Sequence, residues 1–122
     1  MSKSLVRLPP VLLRLEGLAV LGAALVLYFD LDYSVLALVL LFLTPDLSFL
    51  GYLGGPAIGA IAYNTVHTYV GPLVLAAIGV LANSDVATQV ALIWSAHIGI
   101  DRLLGYGLKY PTSPKDTHLQ RV

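Results

Sequence analysis

Five side chains able to ligate a metal or move a proton stand out in an otherwise apolar chain. They are Glu16 in "LRLEGL", Asp46 in "TPDLS", His67 in "AYNTVHTY", and His97 and Asp101 in "AHIGIDRLL". His97 and Asp101 are four residues apart and share one face of a helix, as Asn64 and His67 do at a spacing of three. Imidazole and carboxylate together are the ligand set of Zn, Mn or non-haem Fe. Helical bundles build such sites from inward-facing Glu and His. Three carboxylates brought together raise one another's pKa unless a cation lies between them, and a divalent cation lowers the pKa of a water to about 7. The expectation is a divalent metal held by Asp46, His67, His97, Asp101 and Glu16, with Glu16 and Asp101 as the catalytic proton-transfer groups. Asn64, Arg102, Lys109 and His118 are the candidate substrate contacts.

These residues must be positioned inside a membrane. Of 122 residues, 57% are hydrophobic and 11% charged, with a mean hydropathy of +0.83. A soluble domain of this length cannot hide so much apolar surface. Zero formal net charge leaves no basic field for nucleic acid, and the absence of cysteine excludes disulfides and thiolate metal sites. All seven Lys and Arg lie in the end segments, Lys3, Arg7 and Arg14 at the start and Arg102, Lys109, Lys115 and Arg121 at the end. Arg14 and Glu16 interrupt the first apolar run, which argues against a cleaved signal peptide.

Four apolar segments, at 12–29, 33–53, 56–82 and 86–104, are each near the roughly 20 residues needed to cross a bilayer. They predict an all-α integral membrane protein, an antiparallel four-helix bundle over residues 1–110 with a polar tail at 111–122. An even number of passes and basic ends place both termini in the cytoplasm. Pro45 should disrupt the second segment, and Gly71-Pro72 should kink the third. Gly55 and Gly59 have the small-xxx-small spacing of close helix contacts. At about 1.5 Å of rise per residue, all four segments deliver an ionisable residue to the half that faces the termini.

Each candidate also has a plainer reading. Asp46 after Pro45 fits a helix cap, Glu16 an ion pair with Arg14 or Arg102, and His97–Asp101 a simple hydrogen bond. Arg102 fits a snorkelling side chain, Tyr63, Tyr69 and Tyr106 fit interface aromatics, and Asp116 and His118 a solvated tail. Other function classes stay open: a haem protein using His67 and His97 as axial ligands, an ion or proton conductor, a homo-oligomer among them, and a non-catalytic scaffold. No P-loop, G-x-S-x-G or H-E-x-x-H motif is present.

The blocks "LRLEGL", "TPDLSFLGYLGGP", "AYNTVHTY", "AHIGIDRLLGYGLKYPT" and "KDTHL" resemble the bacterial four-helix membrane proteins grouped as domain of unknown function 4260, over nearly the whole chain. That resemblance implies a fold and a bacterial inner-membrane location, and no activity. The order Pro-Asp, His-Thr, His-x-x-x-Asp, Gly and Tyr-Pro more distantly resembles the inner-membrane metal-dependent hydrolases, relatives of the phospholipase C and P1-nuclease zinc phosphoesterases. It implies metal-ligand roles for Asp46, His67, His97 and Asp101, and a phosphoester of a lipid-like substrate at the cytoplasmic interface. The chain departs from those hydrolases at Glu16, where they carry His, and at Ser48, where they carry a further acidic residue or His. One metal, or two sharing Asp101, is what the remaining residues support.

Overall fold

The structure, a computed structural model, describes residues 3–109, with side chains from Leu8 onward. The tail from 111, including the His118 candidate, lies outside the described residues. Four helical passes follow one another: α1 (Lys3–Asp30); α2 (Val35–Leu41) continued by a 3-10 helix (Thr44–Gly54); α3 (Pro56–His67) continued by α4 (Val70–Leu81); and α5 (Asp85–Leu104). Three stretches, Leu8–Asp30, Val35–Gly54 and Pro56–Leu81, are long and apolar enough to cross a membrane. α5 matches them in length but carries Gln89, His97, Asp101 and Arg102. It buries His97 and Arg102 together with Ala91, Ile93, Ala96, Ile98 and Gly99. The outward positions are apolar, with Leu36, Leu40 and Val80 all more than 60% exposed, as a lipid-facing surface requires.

The passes are antiparallel, as their contacts show. Gly17, early in α1, meets Gly99 and Arg102, late in α5. Tyr28, late in α1, accepts a hydrogen bond from Gln89, early in α5, at 3.1 Å. On the 3-10 helix, Tyr52 lies on Gly59, Phe49 on Tyr63 with ring centroids 5.1 Å apart, and Asp46 beside His67. α4 and α5 form a hairpin, with Thr88 against Gly79 and Trp94 against Gly71. The all-α membrane bundle expected from the sequence is the fold observed.

Proline governs where the passes break. A proline ring clashes with the carbonyl four residues earlier and cannot supply the hydrogen bond to it. α2 stops at Leu41, four residues before Pro45, and α3 gives way at Thr68, four residues before Pro72. Thr68 is extended (φ −92°, ψ 151°), so the third pass breaks ahead of Gly71-Pro72, which instead occupy the first turn of α4. Pro9 and Pro10 lie inside α1, which begins at Lys3 and not at 12. Of the Gly55/Gly59 pair only Gly59 serves close helix packing, making room for the Tyr52 ring of the 3-10 helix, while Gly55 turns the chain between passes at φ +107°.

Candidate metal centre

The two breaks lie at one level and create the centre. After Leu41 the second pass tightens into 3-10 geometry, in which every third residue falls on one edge. That column is Asp46, Phe49 and Tyr52, and it faces α3. Ser48 donates to the Pro45 carbonyl at 2.8 Å and holds the turn that carries Asp46. On α3, the buried stripe Gly59, Ala60, Tyr63 and His67 follows helical spacing and ends with His67 at the second break. α5 passes unbroken behind both and offers His97 and Asp101 one turn apart.

Four ligand-type atoms converge. His67 Nε2 lies 3.2 Å from Asp46 Oδ1 and 3.5 Å from Asp101 Oδ2. His97 Nε2 lies 3.1 Å from Asp46 Oδ1 and 3.3 Å from Asp101 Oδ2. The two Nε2 atoms are 3.2 Å apart, and one ligand atom from each of the four residues lies within 4.8 Å of the others. Tetrahedral zinc bonds of about 2.05 Å separate neighbouring ligand atoms by about 3.3 Å, the spacing seen in the five pairs that include a histidine. Both imidazoles are buried, Asp101 is 14% exposed and Asp46 40%. Access is therefore on the Asp46 side.

Surrounding contacts orient the ligands. His67 Nδ1–H donates to the Tyr63 carbonyl at 2.9 Å, which leaves a lone pair on Nε2 of the neutral ring. Nε2 then faces two carboxylate oxygens and the Nε2 of His97. A proton on His97 Nε2 can serve one of these contacts, and a cation at the centre would serve all of them. A backbone acceptor on the far ring nitrogen is also what metal-ligating histidines use. The Tyr63 ring stacks on His67 with centroids 3.7 Å apart and planes 7° from parallel. His97 Nδ1 is buried and makes no hydrogen bond of good geometry. The Phe42 carbonyl, freed by the first break, lies beside it.

The model of a family described as Domain of unknown function (DUF4260) matches residues 10–122. The chain belongs to that family. No curated protein and no solved structure matches it.

In this DUF4260 member the other candidates take different places. Glu16, expected as a ligand or base, is exposed on α1 and is absent from the four-residue cluster. Its neighbour Gly17 makes the contact with α5, and consecutive residues point about 100° apart on a helix. Arg102 is 7% exposed and turned inward. Its guanidinium donates to the His67 carbonyl at 2.9 Å and the Tyr106 carbonyl at 3.2 Å. Asn64 pairs through both amide atoms with the Lys109 backbone, at 2.7 and 2.6 Å. Gly105, at φ +95°, reverses the chain so that Lys109 can reach back across α3. The Lys109 ammonium lies over the Tyr63 ring, 4.3 Å from its centroid. Burial lowers its pKa, while Asp101 and Asp46 act in the opposite direction.

Trp94 carries weight that its sequence context does not display. A broken helix in lipid leaves carbonyls without partners, and each must be met by protein. Trp94 Nε1–H donates to the Val66 carbonyl at 2.6 Å, and Arg102 meets His67. α5 thus seals the break that it also uses to form the centre. A tryptophan three residues before His97, on the same helix face, is the signal that could have pointed to this.

Proposed function

We propose that this chain is a membrane-embedded, metal-dependent hydrolase of a phosphoester or lipid-like substrate. The observation that carries the reading is the convergence of Asp46, His67, His97 and Asp101 within 4.8 Å at the level where two passes are broken. A divalent cation, Zn, Mn or Fe, held by His67, His97 and Asp101 would keep a position for a water of lowered pKa beside Asp46, and could polarise a phosphoryl oxygen. Asp46, the most open of the four, would take the proton of an attacking water in place of Glu16, which lies outside the cluster. Asp101 and the two imidazoles are more enclosed and act as the fixed ligands. The Lys109 ammonium, near both carboxylates, counters the charge of an anionic substrate. The breaks and the open Asp46 edge give a substrate a way in from the bilayer. The basic ends favour cytoplasmic termini, which places the reaction at the cytoplasmic side of a bacterial inner membrane.

The haem alternative fits poorly, because Nε2 atoms 3.2 Å apart leave no room for a macrocycle between them. An ion or proton relay remains the second reading, since paired broken helices at one level are how transporters build ion sites. The test is the metal content of protein purified without chelators, wild type beside His97→Ala, followed by hydrolysis of a soluble phosphodiester. About one metal per chain, lost in His97→Ala together with hydrolysis, supports the proposal. Metal-free wild-type protein overturns it. Metal without hydrolysis, but with ion flux in proteoliposomes, shifts the choice to the relay.

A further inference from the structure

An apolar cleft of about 350 Å³ adjoins the centre, walled by Leu41, Pro45, Val66, Val90, Ile93 and Trp94. Its walls come from the two broken passes and from α5. Pro45 precedes Asp46, Val66 precedes His67, and Ile93 lies one turn before His97, so the cleft begins where the ligands stand. From there it extends along α5 to Val90, about 10 Å from His97 at 1.5 Å per residue, through the middle of the bilayer. Its volume falls within the roughly 300–1,000 Å³ of small-molecule pockets.

We infer that this cleft holds the alkyl chain of an amphiphile whose anionic head lies at the Asp46 edge of the centre. The inference rests on the proposed metal site for the head, and on the cleft alone for the chain. The cation favours such a head: balanced by two carboxylates, it would still take an anionic oxygen as a ligand. The lining favours a chain, because the six walls named above offer hydrocarbon and an indole, with Thr44 the one polar side chain beside them. The surrounding medium is the source, since Pro45 is the one buried residue of the second pass that forms one wall. The amphiphile therefore comes from the membrane, head toward the end that carries the termini and chain toward the bilayer centre.

Trp94 is the single tryptophan of the chain and lines the cleft, which makes it the reporter. Protein in phosphatidylcholine vesicles is titrated with a long-chain alkyl phosphate brominated on its chain, and Trp94 quenching is followed. Quenching that saturates at a few probe molecules per chain is the expected result. Val90→Phe, which fills the cleft, should weaken the saturable part at least tenfold. Leu41→Phe, at the 41% exposed rim, repeats the block where the fold tolerates bulk, and helical content by circular dichroism is checked for both. A brominated alkyl alcohol, lacking the anionic head, should bind about tenfold more weakly. Quenching that rises only in proportion to probe in the bilayer, unchanged by both substitutions, overturns the cleft. Equal binding of phosphate and alcohol overturns the placement of the head. Saturable quenching in a protein that binds no metal supports the chain site and refutes the metal-dependent reading.

Discussion

The Nε2 atoms of His67 and His97 lie 3.2 Å apart, brought together from α3 and α5. The Tyr63 carbonyl holds the His67 proton on Nδ1, which leaves the His67 Nε2 lone pair facing the centre. A cation bound there only in the folded state should stabilise the protein by mass action. At a hundredfold excess over its dissociation constant, zinc should add about 2.7 kcal/mol. Thermal unfolding in micelles, with zinc and with chelator, should show a higher Tm with zinc. Asp46→Asn and His97→Ala should both abolish the difference. A Tm indifferent to zinc and chelator would count against the centre.

Arg102 joins the two sides of the break in the third pass to the end of the fourth. Arg102→Met keeps the length of the side chain but leaves the His67 and Tyr106 carbonyls without donors. The bond to His67 is buried while Tyr106 is exposed, so the loss expected in detergent-induced unfolding is that of one buried unsatisfied group, roughly 1–3 kcal/mol. Arg102→Lys should recover only part of it, because an ammonium cannot span both carbonyls as the planar fork does. Full recovery by lysine would mean that charge, not the fork, is what the site uses.

Close approach of α1 and α5 depends on Gly17 and Gly99. A Cβ on Gly17 would stand 2.6 Å from the Gly99 carbonyl oxygen, and one on Gly99 would stand 2.8 Å from the Gly17 oxygen. Gly17→Ala and Gly99→Ala should each push the helices apart and cost roughly 1–3 kcal/mol, the usual penalty for overpacking. Gly22 on the same helix has open space around it. Gly22→Ala should be neutral or stabilising by up to about 1 kcal/mol, from helix propensity alone. SDS-induced unfolding of the three variants in parallel separates packing from propensity.

The parts of this architecture that the sequence displays are those where a polar residue interrupts an apolar run. His67, His97, Asp101 and Asp46 are conspicuous for that reason, and the i,i+4 spacing of His97 and Asp101 sets their shared face. Depth alone does not set azimuth, and Glu16 shows the consequence: at a suitable level, it points away because Gly17 takes the helix contact. The 3-10 form of Thr44–Gly54 is written in its spacing of three, Leu47, Leu50 and Leu53 outward and Asp46, Phe49 and Tyr52 inward. Over eleven residues, however, a period of 3.0 is hard to tell from 3.6. Pro72 announces a break, but its ring acts on the carbonyl four residues back, so Thr68 and not Gly71 is distorted. Gly17 and Gly99 are isolated in their own helices, and only their pairing across the bundle reveals them.

Asn64 tests whether the segment after α5 serves the centre or merely ends the fold. Its side-chain amide makes two short hydrogen bonds to the backbone of Lys109, imitating a second strand and fixing where the Lys109 ammonium stands over Tyr63. Asn64→Ala removes both bonds while leaving all four ligand residues in place. The Lys109 amide should then exchange with solvent at least tenfold faster, a change equivalent to about 1.4 kcal/mol. Metal content should be unchanged, because Asn64 touches none of the ligating atoms. Binding of an alkyl phosphate should nevertheless weaken, since the lysine is no longer held beside the carboxylates. Asn64→Asp offers a sharper contrast: it can still accept from the Lys109 amide but has no donor for the Lys109 carbonyl. Partial protection of that amide in Asn64→Asp, with none in Asn64→Ala, is the expected order. Equal and full protection in both variants would show that Gly105 and the helix cap alone hold the segment, and Lys109 would then have no assigned part in binding.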